Sequence, residues 1–172
     1  FISDHAVSKQ FDADREIEEN SNLAVGLRRA GLYLAVAIGM YGSVSSGVSQ
    51  GFIHDTQLLM IDGVFIILFT MISRMLNDFV IIPGIDNSKA IGEGNVAVGL
   101  VEAGGYIATG LVMYGAVSGV GGPWWSSIVW FVLGQIALLT LVFLYEWITP
   151  YNVVKNVEAG NKAAGLMLGG IM

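Results

Sequence analysis

The chain has 172 residues, of which 54% are apolar and only 13% charged, with 23 glycines, no cysteine and a formal net charge of −6. A water-soluble surface needs roughly a quarter or more charged residues, so this composition belongs to a protein that faces a bilayer. The absence of cysteine excludes disulfides, thiolate metal sites and cysteine nucleophiles, and an acidic chain without a basic stripe excludes nucleic acid as a partner.

Phe1 at the start and the apolar run into Met172 predict that both ends are cuts through a longer protein. Residues 1–21 are polar and hold the one dense acidic run, Asp12, Asp14, Glu16, Glu18 and Glu19. Four apolar segments follow, at 22–48, 57–80, 95–120 and 124–149, and a fifth begins at 161. Each of the four supplies the about 20 helical residues, rising about 1.5 Å apiece, that a hydrocarbon core requires. The connections at 49–56 and 119–123 are short and carry no Lys or Arg. Lys9, Arg15, Arg28, Arg29, Arg74, Lys89, Lys155 and Lys162 all lie in the other connections or at the helix ends that meet them. By the positive-inside rule those linkers are expected on the cytoplasmic face. Trp124 and Trp125 open the fourth span and Trp147 closes it, about 22 residues or roughly 33 Å apart, the spacing of two interfacial belts. The predicted organisation is an amphipathic linker at 1–21, a hairpin at 22–80, a linker at 81–94, a hairpin at 95–149, a linker at 150–160 and the start of a third unit at 161–172.

The segment Asn22-Leu-Ala-Val-Gly-Leu-Arg-Arg-Ala-Gly31 returns as Asn95-Val-Ala-Val-Gly-Leu-Val-Glu-Ala-Gly104 and as Asn161-Lys-Ala-Ala-Gly-Leu-Met-Leu-Gly-Gly170. The first two copies stay in register through Tyr33/Tyr106, Ala35/Ala108, Met40/Met113, Tyr41/Tyr114, Gly42/Gly115 and Val44/Val117. Each copy enters from the same side, so the repeats are parallel, not inverted. The expected fold is an all-α integral membrane protein, a polytopic bundle of repeated transmembrane helical hairpins joined by short amphipathic cytoplasmic linkers.

The repeated motif, with its preceding stretches at 15–22, 89–95 and 149–161, resembles the domain-of-unknown-function family numbered 350, typified by the YjfL inner-membrane protein. The resemblance covers nearly the whole chain. It implies a bacterial inner-membrane protein with two hairpin units per domain, and three entry motifs imply the tandem form. It implies an association with membrane-stress proteins and polyamine-ligase-like or polyamine-synthase-like enzymes, and no catalytic residues.

Small residues at helical spacing, Gly26/Ala30, Gly31/Ala35/Gly39, Gly99/Ala103, Gly104/Ala108 and Gly115/Gly119, are expected to be packing seams, because helices in lipid associate by close van der Waals contact. A pore lining is the alternative. Asn22, Asn95 and Asn161 stand where linkers meet apolar runs, and are expected to cap helices; a ring of amides at a cytoplasmic mouth is the alternative. Arg29 and Glu102 hold equivalent places with opposite sign, and are expected to form an intramembrane ion pair. An unpaired charge at a helix centre costs about 2.5 to 3.5 kcal/mol on insertion scales. For the arginines, snorkelling to the headgroups is the alternative.

Asp62, near His54 and Asp55, is expected to be an interfacial or capping carboxylate, with an outer-mouth cation site as the alternative. His5 and His54 are expected on opposite faces, so they form no joint metal site. The middle of the spans holds Ala35, Ala37, Ala108, Thr109, Gly110, Thr70 and Gln135 without an ionisable group, whereas proton-coupled carriers need one there. Gly92-Glu-Gly94 running on to Gly99 has the wrong spacing for a nucleotide loop.

No catalytic, cofactor or metal site is expected. The expected function is a non-enzymatic inner-membrane scaffold or partner subunit linked to membrane stress, forming a homo-oligomer or part of a membrane complex and presenting its linkers to a cytoplasmic protein or the inner leaflet. A channel or carrier for a small solute or ion, lined by the glycine-rich helices, is the alternative.

Overall fold

In lipid no water is available for backbone groups, so a spanning chain must close its hydrogen bonds within helices or barrels. The computed structural model describes residues 12–45, 51–118 and 125–172, and among them every regular element is helical. In chain order these are α1 (Ala13–Glu18), α2 (Leu23–Ser45), α3 (Phe52–Leu76) running into a π-helical turn (Asn77–Ile81), α4 (Asn87–Gly92), α5 (Val96–Val117), α6 (Trp125–Ile148), α7 (Val153–Glu158) and α8 (Lys162–Ile171). Helices α2, α3 with its π turn, α5 and α6 are each long and apolar enough to cross a membrane. The all-helical membrane fold expected from composition is what is observed. Trp124, Gly119 and His5 lie outside the described residues.

Helix α3 begins at Phe52, inside the stretch expected to be a polar turn. Gly51 turns the chain at φ +113°, and the Thr56 hydroxyl satisfies itself on the Phe52 carbonyl, so the polar residues are accommodated within the first helical turns.

Helix α5 is the axis of the bundle. It buries 14 of its 22 residues, packing against α2, α3, α6 and α8. Helices α3 and α6 lie outside and turn Ile67, Leu68, Leu133 and Phe143 outward, as lipid-facing helices do. One apolar cluster joins the linker end, with Val25, Ile82, Ile91, Val98, Val101, Val157 and Leu168. A second, with Ala35, Ile66, Phe69, Met113 and Phe131, fills the other half.

The three linkers share one construction. Asp12 accepts hydrogen bonds from the backbone N–H groups of Asp14 and Arg15, Asp86 from that of Lys89, and Asn152 from that of Lys155, capping α1, α4 and α7. Helices of six residues are unstable alone. These are held by burying Ala13 in α1, Asn87 and Ile91 in α4, and Val153 and Val157 in α7. The residue before each entry asparagine is left-handed: Ser21 at φ +49°, Gly94 at +85° and Gly160 at +80°. At Gly94 and Gly160 the turn closes with paired backbone bonds, Gly94 N–H to Ile91 and Asn95 N–H to Ala90, then Gly160 N–H to Val157 and Asn161 N–H to Asn156, the glycine-terminated helix end that reverses a chain sharply.

Candidate functional site: glycine seams and a buried polar cluster

After each left-handed residue an asparagine opens the next long helix. The Asn22 side-chain oxygen accepts from the N–H groups of Ala24 and Val25, Asn95 from Ala97 and Val98, and Asn161 from Ala163 and Ala164. The amide nitrogens reach across to neighbouring linkers. Asn22 Nδ2 donates to the carbonyls of Ile91 and Gly92 at 3.0 and 3.2 Å, and Asn95 Nδ2 to those of Val157 and Glu158 at 3.2 and 3.0 Å. Asn161 Nδ2 stays in its own linker, 3.4 Å from Asn156 Oδ1. An open depression at this end is lined by Asn22, Glu16, Asn20, Glu93 and Lys162, without Asn95 or Asn161.

Beyond the asparagines the entering helices touch backbone to backbone. A Cβ placed on Gly99 would stand 2.8 Å from the Ala24 carbonyl oxygen, one on Gly31 2.5 Å from the Ala103 Cα, and one on Gly110 2.7 Å from the Ala35 Cα. On the other side of α5, a Cβ on Gly165 would stand 2.5 Å from the Ala97 oxygen, and one on Gly104 would collide with the backbone of Gly169. Gly39 meets Ile66 and Met113, and Ala108 is buried. Between α2 and α5, and between α5 and α8, no side chain separates the backbones at these points.

Three residues expected in the seams do not pack into a seam among the described residues. Nothing lies within 4 Å of where a Cβ would stand at Gly26 or Gly115, and Ala30 is exposed. The seam of α2 runs Ala24, Arg28, Gly31, Ala35, Gly39 and Gly42. Gly26 and Ala30 share a helical stripe with each other, but that stripe lies about 160 to 200° round from Ala24 and Arg28 at 3.6 residues per turn.

The same rotation corrects the expected ion pair. Glu102 is paired with Arg28, not Arg29: Arg28 Nε stands 3.0 Å from Glu102 Oε2, with only 8% and 1% of the two side chains exposed. Arg28 lies on the α2 seam, whereas Arg29, one position and about 100° further on, swings to the linker and pairs with Asp14. The signal for Arg28 was present in the sequence, since it falls in step with Ala24, Gly31 and Ala35.

Around Glu102 further polar groups converge from other elements: Asn87 of α4, Arg74 of α3 and Asp78 of the π turn. Asn87 Nδ2 donates to Asp78 Oδ1 at 2.7 Å, Arg74 donates to the Ser88 hydroxyl, and Tyr106 lies beside the Arg28 guanidinium. The π turn, with its extra residue per cycle, turns Asn77 inward over Gly105, whose missing side chain makes the room. Asn77 is 1% exposed, and its Oδ1 and Nδ2 have no hydrogen-bond partner among the described residues. It lines a cavity with room for about one water molecule, shared with Ser73, Thr109 and Gln135. There the Ser73 and Thr109 hydroxyls are 2.7 Å apart, and Gln135 Nε2 donates to Thr109 at 3.2 Å. The sequence reading named Thr109 and Gln135 at this depth but not the π turn that adds Asn77.

Past Thr109 the next buried polar side chain is Thr70, whose hydroxyl is closed on the Ile66 carbonyl of its own helix. Phe69 and Phe131 stack with ring centroids 3.8 Å apart, among Ile66, Met113 and Ala116. Near the far end Asp62 accepts a hydrogen bond from the Ser43 hydroxyl. Among the described residues no group of three His, Asp or Glu side chains could hold a metal ion.

Comparison with known proteins places this arrangement in a family. The profile of the family described as Domain of Unknown Function (DUF350) matches residues 1–117 and again 119–172. A relative, the UPF0719 transmembrane protein of Aquifex aeolicus (strain VF5), is 22% identical over 181 residues that cover 99% of this chain and 62% of the relative. The chain thus spans less than two thirds of that protein's length. No solved structure matches.

Proposed function

The chain belongs to the Domain of Unknown Function (DUF350) family, and from that premise we propose that it is a non-enzymatic scaffold or partner subunit of the bacterial inner membrane, built by stacking parallel helical-hairpin repeats. The observation that carries this reading is the dry contact between entering helices, where Gly31 meets Ala103, Gly99 meets Ala24 and Gly165 meets Ala97 backbone to backbone. A transported solute needs a wetted path, and there is no width for one along these seams. The repeat reading is supported by contacts that recur at matching places: Asn22 reaches the carbonyls four and three residues before Asn95, and Asn95 those four and three residues before Asn161.

The basic residues gathered at the linker end favour a cytoplasmic position for α1, α4 and α7. These short helices are the surfaces offered to a cytoplasmic protein or the inner leaflet, in keeping with the link to membrane stress that the family resemblance implies. A second reading, a channel or carrier for a small ion or solute, draws on Asn77, Ser73, Thr109 and Gln135, which carry polar groups from the Arg28–Glu102 pair into the core. The stacked Phe69 and Phe131 close that route beyond Thr109.

Solute flux into liposomes containing the purified full-length protein separates the two. The scaffold reading expects flux no greater than in protein-free liposomes for both the native chain and Phe131→Ala. Flux by the native protein that disappears on Gly104→Leu or Ala108→Leu overturns it.

A further inference from the structure

A polar side chain inside a bilayer has no solvent to turn to, so one that is buried must find its hydrogen bonds within the bundle. Asn77 does not find them among the described residues. Its amide carries two N–H donors and an acceptor oxygen, and both Oδ1 and Nδ2 are buried without a partner. The inward position is built into the backbone on two helices at once. The π turn carries Asn77 toward α5, and Gly105 clears the space, since a Cβ there would collide with the Asn77 amide. Local π-helical turns of this kind are frequent at functional sites.

The cavity that Asn77 lines holds further polar groups. Ser73, Thr109 and Gln135 share it, at 2%, 1% and 8% exposure. The Ser73 and Thr109 hydroxyls lie 2.7 Å apart, and Gln135 Nε2 donates to Thr109. Two hydroxyls hold two protons, and the bond between them uses one; the other can reach a third oxygen. The cavity is thus faced by a donor from the hydroxyl pair and by both a donor and an acceptor from Asn77. These groups come from α3 with its π turn, α5 and α6, far from either end of the chain. Met172, which also touches the cavity, contributes none of them.

We infer that the bundle holds one structural water molecule here, bridging Asn77 to the Ser73–Thr109 hydroxyl pair. An amide can bind a single water in a closed ring, with Nδ2–H donating to the water oxygen and the water donating to Oδ1. The spare hydroxyl proton supplies a further bond, and buried waters make about two to four. The room available is that of about one water molecule. A monovalent cation of similar size fits by volume but not by charge. It would place an unbalanced charge among neutral amides and hydroxyls in a water-poor interior, while the Glu102 carboxylate is already held by Arg28. The water ties α3 to α5 at the level where α3 leaves α-helical register, and the stacked Phe69 and Phe131 lie beyond it. A water fixed in this way is compatible with the scaffold and carrier readings alike.

The test is solid-state NMR of the full-length protein in liposomes, with isotope-labelled asparagine side chains and the Asn77 signal assigned by its disappearance in Asn77→Leu. Magnetisation is passed from water protons to the side-chain amides at short mixing times. The Asn77 amide is expected to receive it although it is buried between spans. The double variant Ser73→Ala/Thr109→Val, which keeps the volume of the lining nearly constant and removes both hydroxyls, is expected to lower the transfer severalfold. Transfer undiminished in a folded double variant overturns the bridge. Absence of transfer to the native Asn77 amide overturns the inference by itself, whether or not the double variant folds. Thermal unfolding midpoints in sodium chloride and in choline chloride at equal ionic strength are expected to coincide. A midpoint raised by sodium in the native protein, and not in Asn77→Leu, assigns the site to a cation and overturns the water.

Discussion

Gly26 and Gly99 occupy the same place in successive copies of one motif, yet the same substitution is expected to affect them in opposite ways. A Cβ on Gly99 would stand 2.8 Å from the carbonyl oxygen of Ala24 and 2.9 Å from its Cα. Ordinary carbon contacts lie at about 3.5 to 4.0 Å, so α2 and α5 must part by roughly 0.6 Å, and a gap of that size forfeits about a quarter to a half of each dispersion well along the seam. The obstructing atoms are backbone and cannot rotate away. Gly99→Ala is therefore expected to cost about 1 to 3 kcal/mol, the usual range for forced overpacking. Gly26→Ala meets nothing within 4 Å and is expected to leave the separated chain unchanged or slightly more stable, since alanine is the better helix former. Reversible unfolding of detergent-separated chains measures both. Equal losses at the two positions, or no loss at Gly99, would refute the seam argument.

The buried ion pair is expected to single out Arg28. Glu102→Ala or Arg28→Ala leaves a charge stranded in the bundle and should cost about 3 to 5 kcal/mol, whereas Arg29→Ala, whose partner Asp14 is 79% exposed, should cost about 1 kcal/mol or less; a double-mutant cycle reads a strong coupling for Arg28 with Glu102 and none for Arg29 with Glu102. The entry asparagines are expected to differ in rank. Asn161→Ala loses a cap, about 0.5 to 2 kcal/mol, and Asn95→Ala should lose more, since it also abandons the carbonyls of Val157 and Glu158; comparing the two variants by hydrogen exchange at the helix starts checks this. Gly94→Ala, at φ +85°, should cost about 1 to 2 kcal/mol through the left-handed penalty on a Cβ, and Ser21→Gly should give back up to about 1 kcal/mol where that penalty is already carried; the midpoints of unfolding curves for the two variants are expected to move in opposite directions.

Much of the fold was legible in the sequence because its physical causes are local. Four apolar runs of spanning length, the scarcity of charge and the confinement of Lys and Arg to alternate connections are properties of neighbouring residues, and they suffice to predict a helical membrane bundle. The asparagine caps were legible for the same reason, since a cap bonds only to N–H groups two and three residues ahead. The six-residue helices α1, α4 and α7 were not separately legible, because helices so short depend on what they bury.

What the residues could not decide alone is which way each helix faces. Gly26/Ala30 and Gly31/Ala35 both have small-residue spacing, and both Arg28 and Arg29 stand near the depth of Glu102; each neighbour along the chain turns the side chain by about 100°. Only the position of α5 selects the stripe of Ala24, Arg28, Gly31 and Ala35 as the seam, sends Arg28 to Glu102 and releases Arg29 to Asp14. Only the π turn brings Asn77 over Gly105. Hydrophobicity chose the solvent and the spans, because water and lipid act on each segment separately; the contacts between spans were fixed by backbone-to-backbone fit, which belongs to two helices at once.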